Sequence, residues 1–87
     1  MSIEEAREVL KVDGTDNDPT INSLLNAIPG YLEVSTGKAW DTEENPLAQT
    51  TAGFILQLWY NPQSKDSERL KTTIDSLLIA LTAIGRV

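Results

Sequence analysis

The chain has 87 residues, 7 of them Lys or Arg and 13 Asp or Glu, for a formal net charge of -6. It contains no cysteine and no histidine, which excludes disulfides, the commonest zinc sites, and any Ser-His-Asp or Cys-His catalytic arrangement within one chain. Its acidic balance repels phosphates and so disfavours generic nucleic-acid binding, and no apolar run approaches the roughly 18 residues that span a membrane.

A chain of this length makes one domain, and so small a domain buries a modest share of its surface. Small scaffolds make up the deficit with disulfides, a metal or oligomerisation, and self-association is the device left here. The start, Met1-Ser2-Ile3-Glu4-Glu5, is acidic and without a signal-peptide pattern, which points to a cytoplasmic protein. Ser2 and Glu5 stand three apart as a capping box, followed by a narrow apolar stripe of Ile3, Ala6, Val9 and Leu10. This predicts a first helix over about 3–11, marginal unless its apolar edge docks on something. The acidic turn Val12-Asp13-Gly14-Thr15-Asp16-Asn17 invites a calcium reading. An EF-hand loop needs Gly at its sixth position and Glu at its twelfth. Counted from Asp13 these are Asp18 and Leu24, so the stretch reads as a loop and cap.

Asp18 is the expected cap of the second helix, over about 19–36, with Pro19 in its first turn and Gly37 as its left-handed stop. Ile21, Leu24, Leu25, Ile28 and Leu32 mark one helical face. Pro29 inside this helix costs about 3 kcal/mol. The stripe nevertheless stays in phase from Ile28 to Leu32, which predicts one helix kinked at Pro29, with Tyr31 and Val34 widening the buried face at the bend. In the polar loop 38–45, Trp40 serves either as a lid on the core or as an anchor for a partner subunit.

Asn45-Pro46 repeats the cap-then-proline start and predicts a third helix over about 46–61, stopped by Pro62. Its apolar stripe, Leu47, Ala48, Thr51, Phe54, Ile55, Leu58 and Trp59, is extended almost round the helix by Ala52 and Leu56. Such a helix is central, or is covered on its second side by a partner. Gly53 permits close approach of a neighbouring helix, and Trp59-Tyr60 reads as core edge. A fourth helix over about 67–84 carries Leu70, Ile74, Leu77, Leu78, Leu81 and Ile84. Ser67-Glu68-Arg69 and Lys71 form its exposed first turns, Gly85 its end, and Arg86 sits beside its negative dipole end. Ile79 and Ala80 lie off the stripe and offer a partner surface. The expected fold is all-α: a small four-helix bundle-like domain with short loops, spanning 1–87. Candidate interface residues are Trp40, Trp59, Tyr60, Arg69, Lys71 and Ile79. No catalytic, metal or cofactor residue is expected, and no enzyme activity.

The order of elements resembles a known family. A short helix ends in Leu10-Lys11-Val12-Asp13, followed by an acidic turn with Asp16 and Asp18. A long helix reads Ile21-Asn22-Ser23-Leu24-Leu25, then Tyr31-Leu32-Glu33, Thr36-Gly37-Lys38 and Trp40. A third helix ends in Leu58-Trp59-Tyr60-Asn61, and a fourth carries Ile74-Asp75-Ser76-Leu77-Leu78. The pattern is similar to the head–tail connector, or DNA-packaging and head-completion, proteins of tailed bacteriophages and prophages. The resemblance implies a homo-oligomeric ring on the portal protein, a platform for a tail-completion protein, and DNA passing through the channel without specific binding. It also implies a place in the virion, assembled in the bacterial host cytoplasm. Pro29-Gly30 and Pro62-Gln63 depart from the family, which has a straight helix at the first place and a charged pair at the second. The alternative reading is a small acidic regulatory binding module of the DNA-mimic or anti-repressor type, tight with a basic partner and weakened by salt.

Overall fold

Ser2 starts the first helix as its spacing predicts. Its Oγ accepts the Glu5 backbone N–H at 3.2 Å, and its own N–H donates to Glu5 Oε1 at 3.1 Å, closing the capping box. In the computed structural model, which describes residues 1–41 and 44–85, α1 runs Ile3–Leu10. It stops one residue short of expectation because Lys11 turns into the left-handed region at φ 58°. Lys11 N–H donates to the Glu8 carbonyl at 3.2 Å and Val12 N–H to the Arg7 carbonyl at 3.0 Å, the paired bonds of a Schellman end. Ala6 is fully buried, with Ile3, Val9 and Leu10 packed at the core's edge.

α2 spans Asp18–Thr36. Asp18 is not its cap: Asn17 holds that position, and no side chain caps the helix. Asp18 is drawn to α1 instead, where Arg7 Nε donates to its Oδ1 at 2.9 Å and Arg7 Nη2 pairs with its Oδ2. A two-point contact between charged partners outweighs one cap bond. The helix runs unbroken through Pro29. Pro29 and Gly30 lie exposed between buried Ile28 and Leu32, on the solvent side of the helix. Gly37 ends it at φ 79°, its N–H donating to the Glu33 carbonyl at 2.8 Å. Tyr31 and Val34 do not widen the buried face, being 38% and 88% exposed. At about 100° per residue, Val34 stands about 120° from Ile28 and about 160° from Leu32.

α3 runs Pro46–Tyr60, with Asn61 outside it as the C-terminal cap. Asn45 Oδ1 accepts the N–H groups of Leu47 and Ala48, both at 3.0 Å. Its buried residues are Ala48, Thr51, Ala52, Gly53, Ile55 and Leu56. The Thr51 hydroxyl donates to the Leu47 carbonyl at 2.7 Å, so its burial leaves no orphan. α3 packs against α1, α2 and α4, whereas α1 and α4 do not meet. This helix is therefore central and covered within the chain. Gly53 does not admit a neighbouring helix: Met1 lies over it, its Cε 3.8 Å from where a Cβ would stand.

α4 spans Ser67–Gly85. Ile74 and Leu81 are buried, and Leu70 and Leu78 are packed against the core. Ile84, expected on the same stripe, is 50% exposed, and Arg86 lies outside the described residues. The described residues thus form four helices and no strand, a small all-α bundle. Its radius of gyration, 12.8 Å, is close to the about 12 Å of a compact chain this long.

Candidate interaction surface

The outer side of α2 exposes Ala27 and Val34, at i and i+7, with Tyr31 between them turned edge-on to Trp59 of α3. They stay outside because the core takes only the Ile21–Ile28–Leu32 side. On α4, Ile79 is 71% exposed and Ala83 is exposed one turn later. The two helices adjoin at Ser35, which stands about 100° round α2 from Val34 and lines a shallow groove of about 340 Å³ with Leu78, Ile79, Thr82 and Ala83 of α4. Of the other helices, α4 touches only α2 and α3, so no helix among the described residues covers its outer side. From Ser76 to Gly85 it carries no charged residue, and α2 beyond Asp18 carries only Glu33, about 100° round the helix from Val34. Charged residues make up 23% of the whole chain. Exposed aliphatics with charge removed are the anatomy of an interface core.

Of the six residues expected to make contacts, only Ile79 lies on this face. Trp40 folds inward as a half-buried lid. Its Nε1–H donates to Thr36 Oγ1 at 2.9 Å, and the Thr36 hydroxyl donates to the Leu32 carbonyl at 2.7 Å. Lys38 Nζ stands 4.8 Å from the centre of the indole, a cation–π contact. The far edge of the ring lies over Gly85, 3.4 Å from a Cβ built there, so Trp40 ties the end of α2 to the end of α4. Trp59 is half-buried and meets Tyr31 edge-on, with centroids 5.2 Å apart at 79°. Tyr60 is half-buried beside Val9, Leu10 and Leu70. Arg69 pairs with Asp66 at 2.5 Å and Lys71 with Glu68 at 3.9 Å, in the exposed first turns of α4, where water screens such pairs. Val34, expected with Tyr31 to widen the buried face at the bend, stands exposed instead, and its phase relative to Ile28 and Leu32 carried that signal.

Hydrogen bonding from Arg7 holds the Asp18 carboxyl below its ordinary value, and the same bond raises the Arg7 guanidinium. Glu5 is lowered, first by the Ser2 backbone N–H and then by the Ser2 side chain. Both carboxylates are pulled down by partners that join or start helices. Among the described residues no three acids gather closely enough to hold a metal ion. No helix of the structure is long and apolar enough to cross a membrane. Comparison of the chain with family models, with curated proteins and with solved structures found no match.

Proposed function

We propose that this chain is a structural assembly protein of a tailed phage or prophage, acting by contact between copies rather than by catalysis. In this reading the copies form a connector ring on a portal protein, offer a platform to a tail-completion protein, and let DNA pass. The observation that carries it is the uncharged apolar surface on the C-terminal halves of α2 and α4, with Val34 at 88% and Ile79 at 71% exposure. Two copies of net charge -6 repel at long range, so close approach favours the surface poorest in charge. The connector assignment draws on the order of helices and turns in the sequence, from Leu10-Lys11-Val12-Asp13 to Leu58-Trp59-Tyr60-Asn61. The test is sedimentation across a concentration series, with and without a purified portal ring. Mass that grows with concentration, and capture by the portal, is expected. A strict 9.6 kDa monomer that ignores the portal counts against the reading.

A further inference from the structure

The link between α1 and α2, residues 12–17, holds the only Asp-Gly step of the chain, Asp13-Gly14. We propose that this step is a site of spontaneous backbone modification, at which Asp13 converts through a cyclic imide to isoaspartate.

The reaction joins an electrophile and a nucleophile that are neighbours in the chain. The Gly14 nitrogen bonds to the side-chain carbonyl carbon of a protonated Asp13 carboxyl. The amide proton leaves with the carboxyl hydroxyl as water, and a succinimide ring remains. Water then adds to one of the two ring carbonyls. Addition at the side-chain carbonyl restores aspartate. Addition at the main-chain carbonyl breaks that bond to nitrogen and leaves isoaspartate, with the backbone running through the former side chain. Overall no atom is gained or lost, and nothing is oxidised or reduced.

The fold leaves both groups unengaged. Asp13 and Gly14 are exposed and lie outside every helix. Among the described residues the Asp13 carboxylate has no hydrogen bond or ion pair, and the Gly14 N–H has no acceptor. Gly14 takes φ 85°, and a Cβ placed there would meet nothing within 4 Å. The one steric guard for this nitrogen would be a side chain on its own residue, which glycine lacks.

No other Asp or Asn combines these conditions. Asp18, Asn45 and Asn61 precede prolines, which have no N–H to give up. Asn22, Asn26 and Asp75 sit inside α2 and α4, where the following N–H is tied into the helix. Asp66 is held by Arg69, and the Ser67 N–H that follows it donates to the Ser64 carbonyl at 3.2 Å. Asn17 is followed by the Asp18 N–H, which donates to the Thr15 carbonyl at 3.1 Å. Asp16 and Asp41 are followed by Asn17 and Thr42, whose side chains crowd the nitrogen. The product adds one carbon to the backbone of a link fixed at both ends, by the bonds of Lys11 and Val12 to α1 and by the Arg7–Asp18 pair.

The experiment ages the folded chain at neutral pH and body temperature and maps its peptides by electron-transfer fragmentation, which tells isoaspartate from aspartate. Isoaspartate is expected at position 13 before any other position, preceded by a species one water lighter. Gly14→Ala is expected to slow the conversion at least about tenfold, because a Cβ then crowds the nitrogen. Asp13→Glu keeps the glycine and its turn but would have to close a larger ring. It is expected to abolish the conversion, and serves where Gly14→Ala fails to fold. The chain unfolded in guanidinium is expected to convert at position 13 within about threefold of the folded rate, since a segment with no contacts to break reacts as if unfolded. Isoaspartate that accumulates first elsewhere, or a Gly14→Ala chain that converts as fast as the unmodified one, overturns the proposal. So does a folded rate more than about tenfold below the unfolded one.

Discussion

α3 and α4 are both rich in aliphatic residues, yet they meet opposite fates. α3 touches all three other helices and buries Ile55 and Leu56 almost completely, at 1% and 0% exposure. α4 touches two, and leaves Ile79 and Ile84 at 71% and 50% exposure. Apolar content does not decide which surface stays open; the number of neighbours does. The helix apolar nearly all round satisfies itself at the centre, and the surplus appears on the helix with an uncovered side.

The sharpest way to break that contrast is to truncate one residue of each kind. Leu56→Ala leaves a cavity walled by packed helices and should cost about 2–5 kcal/mol, whereas Ile79→Ala should change stability by less than about 0.5 kcal/mol. Urea unfolding followed by tryptophan fluorescence measures both, and equal losses would erase the distinction. Asn45→Ala strips the start of α3 of the acceptor for two N–H groups and should lower the unfolding free energy by about 1 kcal/mol. Gly53→Ala works the other way. The new methyl meets Met1 at an ordinary 3.8 Å, and removing a mid-helix glycine should stabilise by about 0.5–1 kcal/mol. A thermal melt would register that as a rise of a few degrees; a fall would mean that the centre of α3 has no room to spare.

The smallest expected effect concerns the joint between α1 and α2. Because the Asp18 carboxyl is lowered by Arg7, the pair stabilises the fold above the ordinary carboxylate range. That contribution fades as pH falls through the folded-state value. Arg7 stays charged throughout this range. The gap in urea midpoint between the unmodified chain and Asp18→Asn should be full at pH 7, begin to close below about pH 4, and vanish in stronger acid. A gap that widened in acid would contradict the assignment.

Local signals in the sequence were legible because their causes lie within one turn. The Ser2–Glu5 box, the Asn45 cap and the Gly37 stop each need only neighbours three or four residues away. So did the continuity of α2 through Pro29, which the phase of Ile28 and Leu32 carried. Features that depend on another helix were not legible. Asp18 left its capping place for Arg7, eleven residues earlier and on a different element. Lys11 took a left-handed position usually given to glycine, so the end of α1 had no written marker. Gly53 invited a helix and received the side chain of Met1. Stripe periodicity located a buried side on each helix but not how many neighbours would cover the rest. That is why Val34 and Ile84 were placed inside and stand outside, and why Trp40 was left open between lid and anchor.

The most direct measurement is sedimentation of the unmodified chain beside a Val34→Asp/Ile79→Asp double variant, at equal concentrations and after both show the same melting temperature. If the uncovered side of α2 and α4 holds copies together, the unmodified chain rises above 9.6 kDa with concentration and the variant stays at 9.6 kDa. Two monomers, or a variant that assembles as fully as the unmodified chain, would contradict the account.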